Sequence, residues 1–160
     1  MSLVGQSETD IEIKAPAALF HDVFSCRPHH ISNVCPEKIQ GVDLHEGDWG
    51  TVGSVVCWNY VHDGIPEVAK EIIEEIDDEN NSSTFTVIEG HLLEKYKNFY
   101  FIVQATPKGE GQGSLVHWTL KYEKLNEDVP EPKGMLQLAI DVTKEVDAHL
   151  TQQQQQQQQA

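Results

Sequence analysis

PKGMLQLAIDVTKEVDAHL, residues Pro132 to Leu150, is the long run whose apolar residues recur at helical rather than strand spacing. Met135, Leu138, Ala139, Val142 and Val146 fall at i, i+3, i+4, i+7 and i+11, which puts them on one stripe of a helix. Lys133, Asp141, Lys144, Glu145 and Asp147 take the other side. Pro130 and Pro132 fix the backbone before it, a common helix entrance, and Gly134 lets another group approach the first turn. Such a helix is roughly 28 Å long at 1.5 Å per residue, enough to cross a small domain.

The rest of the chain reads mainly as strands. Leu3 to Ile13 alternates, with Ile11 and Ile13 on one side and Glu8, Asp10 and Glu12 on the other. Ala15 to Phe24 carries an early proline and the apolar side Leu19, Phe20, Val23 and Phe24, the pattern of a short helix; His29 to Val34 adds a further turn or two. Strands are expected over Ile39 to Glu46, Ser54 to Val61, Glu67 to Ile76, Thr84 to Glu89, Tyr96 to Thr106 and Ser114 to Leu125. The connections between them are short turns, which imply antiparallel pairing. PKGEGQG, from Pro107 to Gly113, is the last of these connections and is glycine-rich.

The expected architecture is therefore α+β: a seven-stranded antiparallel sheet wrapped around the C-terminal helix, with two short helices between strands 1 and 2. One helix bearing Val, Ala and Leu leaves part of such a wrap unfilled, so an internal cavity is expected. Residues 1–150 form the one domain. Residues 151–160, with glutamine from Gln152 to Gln159, form a low-complexity tail that is either a frayed helix extension or disordered.

Bulk composition narrows the partners. A formal charge of −15 opposes binding to phosphate backbones, so nucleic acid is excluded as an expectation. No apolar run approaches the roughly twenty residues that span a bilayer, and the opening MSLVGQSETD lacks the basic and apolar regions of a secretion signal. An intracellular, soluble chain with no integral membrane association is expected. Cys26, Cys35 and Cys57 are odd in number and lack metal-ligand spacing, which favours free thiols. The adjacent His29 and His30 point apart, and without a His-x3-His or Cys-x2-Cys pair neither a metal nor a cofactor is called for.

Three long blocks carry a resemblance: LHEGDWGTVGSVVCWNYVHDG (Leu44 to Gly64), VIEGHLLEKYKNF (Val87 to Phe99) and SLVHWTLKYEKLNEDVPEP (Ser114 to Pro132). In their order and position they resemble the plant major latex proteins, within the birch-pollen-allergen (Bet v I type) fold of the START superfamily. The resemblance covers the chain from Met1 to about Leu150. It implies a cytoplasmic carrier of a small hydrophobic metabolite or hormone, such as a sterol, flavonoid or cytokinin, linked to defence or stress responses; a protein partner is left unknown. It places Trp58, Tyr60, Val68, Phe85, Phe99, Phe101 and Val103 of the sheet, and Met135, Leu138 and Val142 of the helix, on the cavity wall. The alternative for each is a plain core residue.

The resemblance also sets Gly64, Ile65 and Pro66, with His91 and Leu92, where abscisic-acid receptors carry a gate and a latch over the cavity mouth. Leu92 replaces the expected arginine, which counts against hormone sensing, and the alternative reading is two hairpin turns. His117 is a candidate for a ligand's polar end if its face of the strand turns inward. Some relatives use the cavity as an active site of alkaloid cyclases and isomerases, and Tyr60, Glu89, His91, Tyr96 and His117 are the acid–base candidates for that alternative. No catalytic residue is assigned. Gly47-Asp48-Trp49-Gly50-Thr51-Val52-Gly53 lacks the Gly-Lys-Ser/Thr ending and the following helix of a phosphate loop, so it reads as a conformational turn.

Overall fold

The computed structural model describes residues 3–109 and 113–159, with side chains as far as Gln152. Chain order is β1 (Val4–Ile13), α1 (Ala17–Cys26), α2 (Ile31–Val34), β2 (Ile39–Glu46), β3 (Val55–His62), β4 (Ile65–Asp77), β5 (Ser82–Gly90), β6 (Tyr96–Pro107), β7 (Ser114–Lys124) and α3 (Lys133–Gln159). Single 3-10 turns at Pro28–His30 and His91–Glu94 complete it. Within the connection from Pro107 to Gly113, the segment Glu110, Gly111, Gln112 lies outside the described residues.

The strands make a seven-stranded sheet in the order β1-β7-β6-β5-β4-β3-β2, every described pairing antiparallel. Hairpin connections place consecutive strands side by side from β2 to β7, and β1 pairs with β7 to close that edge. The tightest turn is Asp63 and Gly64, whose φ values of 54° and 76° are the left-handed pair that a two-residue hairpin needs. The Gly47 to Gly53 loop is conformational too: the Ser54 hydroxyl donates to the Asp48 carbonyl at 2.8 Å and accepts the Asp48 N–H at 3.0 Å.

The helix α3 lies against the inner face of this sheet, and its buried stripe is Met135, Ala139, Val142, Val146 and Leu150. Its backbone helix continues through the glutamines to Gln159. One anchor is local and polar. The Asp147 carboxylate accepts the backbone N–H groups of Lys14 at 3.0 Å and Ala15 at 2.8 Å, tying the helix to the turn between β1 and α1. A charged acceptor holding two amides is among the stronger hydrogen-bonding arrangements. At the other end the Tyr96 hydroxyl donates to the Pro130 carbonyl at 2.9 Å, fixing the approach to α3.

No helix among the described residues is long and apolar enough to cross a membrane. All three cysteines are free thiols, and burial pushes Cys35 up to about 11, so it stays protonated.

Candidate ligand-binding cavity

Between α3 and the sheet the side chains leave a cavity. The space between atoms there is about 600 Å3 with its open side included, and the centre of a water-sized sphere has about 80 Å3 to move in. That is room for several water molecules. The wall takes Ile39 from β2, Trp58 and Tyr60 from β3, Ala69 and Glu71 from β4, Phe85 from β5, Phe101 from β6 and Trp118 from β7. Phe24 of α1 closes one side, and Met135, Leu138, Ala139 and Val142 of α3 form the roof. The strand residues arrive there by alternation: Tyr60 faces Glu67 across the β3–β4 pair, Trp58 faces Ala69 and Val56 faces Glu71.

Of the wall residues expected from the sequence, Trp58, Tyr60, Phe85, Phe101, Met135, Leu138 and Val142 meet at this cavity. Four others do not. Phe99 is fully buried in an aromatic cluster with Tyr96, Phe101 and Tyr122, ring centroids 5.1, 5.1 and 5.9 Å away. Val103 is buried but outside the cavity wall.

Val68 points the wrong way. Inward positions on β4 are Ala69, Glu71 and Ile73, so Val68 belongs to the opposite face, and its N–H donates to the His91 Nδ1 at 3.0 Å. His117 is also on the outer face. Its ring lies between the Asp10 and Glu8 carboxylates of β1, with Nδ1 2.5 Å from Asp10 and Nε2 3.0 Å from Glu8. The Asp10 hydrogen bond, then that of Glu8, raises its pKa.

The five loop residues Gly64, Ile65, Pro66, His91 and Leu92 do not line the cavity. Ile65 is exposed and Leu92 is tucked into the core. Among the acid–base candidates only Tyr60 reaches the wall. Glu89 is exposed and pairs with Lys70 at 3.1 Å on the surface.

The sequence reading missed Glu71, the one carboxyl among the described residues of the cavity wall. It is 6% exposed, and none of the described residues gives it a hydrogen bond or an ion pair. Burial alone pushes it up to about 8, so it is mostly a neutral acid near pH 7. Two further polar atoms on this wall are buried without a partner among the described residues, the Trp58 Nε1 and the Tyr60 hydroxyl. Burial, then the Glu67 and Glu71 carboxyls, raises the Tyr60 phenol well above its ordinary value. Trp118 was missed as well, although the unbroken alternation Val116, Trp118, Leu120, Tyr122 signals it.

A curved antiparallel sheet gripping one long helix over an apolar cavity defines a class of small-molecule-binding folds. The chain belongs to the pathogenesis-related protein Bet v 1 family, whose model matches residues 2–153, and within it to the major latex-like proteins. It is 57% identical to MLP-like protein 28 of Arabidopsis thaliana and 56% identical to MLP-like protein 31 of the same plant, each over 93% of this chain. The chain spans 44% of the first of these relatives, about half its length, and 87% of the second. Among solved structures it is similar to the major latex-like protein 151 of Panax ginseng, with a TM-score of 0.89 and 48% identity over 92% of this chain and 97% of that one.

Proposed function

We propose that this protein binds a small hydrophobic plant metabolite or hormone in the cavity under α3 and carries it through the cytoplasm, in connection with defence or stress responses. One observation carries this reading: a wall built almost wholly of apolar and aromatic side chains around space that the fold leaves open. A close-packed interior has few voids larger than a water molecule, so unfilled apolar space of this extent calls for an occupant. Transfer of a guest's surface from water contributes roughly 25 cal/mol per Å2, which makes burial the main source of affinity. Met135, flexible along its chain, lets the wall adjust to the guest's outline. The family description, pathogenesis-related, supports the defence connection.

Native mass spectrometry of the protein isolated from the tissue that makes it tests the reading. A noncovalent small-molecule adduct, released on denaturation, is the expected result. Protein that is uniformly empty, and that also takes up no lipophile added in solution, contradicts it.

A further inference from the structure

The polar side chains of the cavity wall are few, and two of them are neighbours. Trp58 and Tyr60 alternate inward on β3, and Glu71 stands on β4 one inward position beyond Ala69, the partner of Trp58. Trp58 and Glu71 are therefore diagonal neighbours, which on one face of a sheet lie about 7–8 Å apart, close enough for a single small group to sit between their side chains, while Tyr60, opposite Glu67, lies on the far side of Trp58. The Trp58 indole Nε1 is buried without a partner, and none of the described residues gives the Glu71 carboxyl a hydrogen bond or an ion pair. Buried polar groups almost always find partners, so two neighbours on one wall without them mark a place where a guest supplies what the protein withholds.

Resting on the carrier reading above, we propose that the cavity takes guests bearing an uncharged oxygen, a carbonyl or a hydroxyl, and holds that oxygen between Trp58 and Glu71. The donor inventory selects this chemistry. An indole N–H can only donate, so whatever sits there must accept. An ammonium group would suit the aromatic faces and Glu71 but would set its own N–H groups against that indole. A carboxylate would accept from both groups, yet among the described residues the wall carries no Lys, Arg or His to offset a buried negative charge. A neutral oxygen accepts from the indole and from the protonated Glu71 without bringing charge into the cavity.

The same argument gives a pH dependence. Glu71 faces Val56 across the β3–β4 pair, and the other titratable wall residue, Tyr60, has the Glu67 carboxyl beside it; the wall residues from the other elements, Ile39, Phe85, Phe101, Trp118, Phe24 and the α3 roof, do not titrate. Deprotonation of Glu71 therefore removes a donor and puts an anion against the guest's oxygen.

Quenching of tryptophan fluorescence on the whole chain tests this with naphthalenes of one skeleton. The probes are 2-acetylnaphthalene, 2-ethylnaphthalene as its hydrocarbon counterpart, 2-naphthoate and 2-naphthylmethylammonium. The expected result is that Glu71→Leu weakens the ketone about tenfold, the equivalent of one hydrogen bond, and leaves the hydrocarbon within about threefold. In the unaltered protein the ketone weakens as pH rises through about 8, while the hydrocarbon does not. Glu71→Gln, which keeps a donor and an acceptor, removes that pH dependence, and this arm decides the matter if Glu71→Leu fails to fold. An equal effect on ketone and hydrocarbon, a flat pH profile, or tighter binding of the carboxylate or the ammonium overturns the proposal and leaves the carrier reading standing. If the hydrocarbon and the ketone both fail to bind the unaltered protein, the carrier reading falls and takes this inference with it.

Discussion

The indole N–H of Trp118 on β7 donates to the hydroxyl of Thr143 on α3 at 2.8 Å, both side chains buried. It is a polar link from the sheet to the helix beside the cavity, and it leaves Trp118 satisfied where Trp58 on the same wall is not. Thr143→Val keeps the shape and strands the indole N–H. A loss of about 1–3 kcal/mol in urea unfolding is expected, with Thr143→Ser close to the unaltered protein. Equal stability for valine and threonine would show that the link contributes nothing.

Glu71 sets the slope of stability against pH. Its folded pKa is about 8 and its ordinary value 4.5, so between the two the unfolded chain gives up a proton that the folded chain keeps. Stability is complete below 4.5 and falls as pH rises towards 8, on the order of 3 kcal/mol by neutral pH. Glu71→Gln should flatten that decline. Denaturant unfolding of both proteins across this range is the check, and parallel curves would contradict the burial of an unpaired carboxyl.

His117 belongs to the outer surface, so its removal should not touch the cavity. His117→Gln is expected to leave the affinity for 2-ethylnaphthalene within about twofold and stability within about 1 kcal/mol, since exposed ion pairs contribute little. What it does contribute is present when the ring is protonated and is lost as pH rises through its raised pKa. A large loss of binding in this variant would place the ring inside.

Gly90 ends β5 at φ 127°, and a Cβ there would stand 2.2 Å from the Val68 carbonyl oxygen. Gly90→Ala forces both a backbone that side chains avoid and a shift of β4. A destabilisation of at least about 1–3 kcal/mol is expected in thermal or urea unfolding, from the backbone conformation alone.

Much of this fold is written in periodicity. The spacing of Met135, Ala139, Val142 and Val146 gives α3 and its buried stripe, and the alternation of Ile11 and Ile13 with acidic residues gives the wet and dry faces of β1. Seven strands follow from turns such as Asp63-Gly64. The inner face of β4 was not legible, for a physical reason. Val68, Lys70 and Ile72 on one side and Ala69, Glu71 and Ile73 on the other each offer two apolar residues and one charged residue, so alternation alone does not choose. Burial of Glu71 runs against the usual exposure of glutamates, and only the paired strands on both sides, Val56 and Val87 opposite it, fix which way it points. His117 was legible in principle: Val116, Trp118 and Leu120 already claim the inward face.

The central claim is that the space under α3 receives a guest, and Ala139 on the cavity roof offers its most direct test. Equilibrium titration with the uncharged fluorescent lipophile N-phenyl-1-naphthylamine should give saturable binding to the unaltered protein. Ala139→Trp, which fills the cavity from the helix side, should lose that binding while still unfolding cooperatively. Equal binding by the two proteins, or none by the unaltered one, contradicts the account.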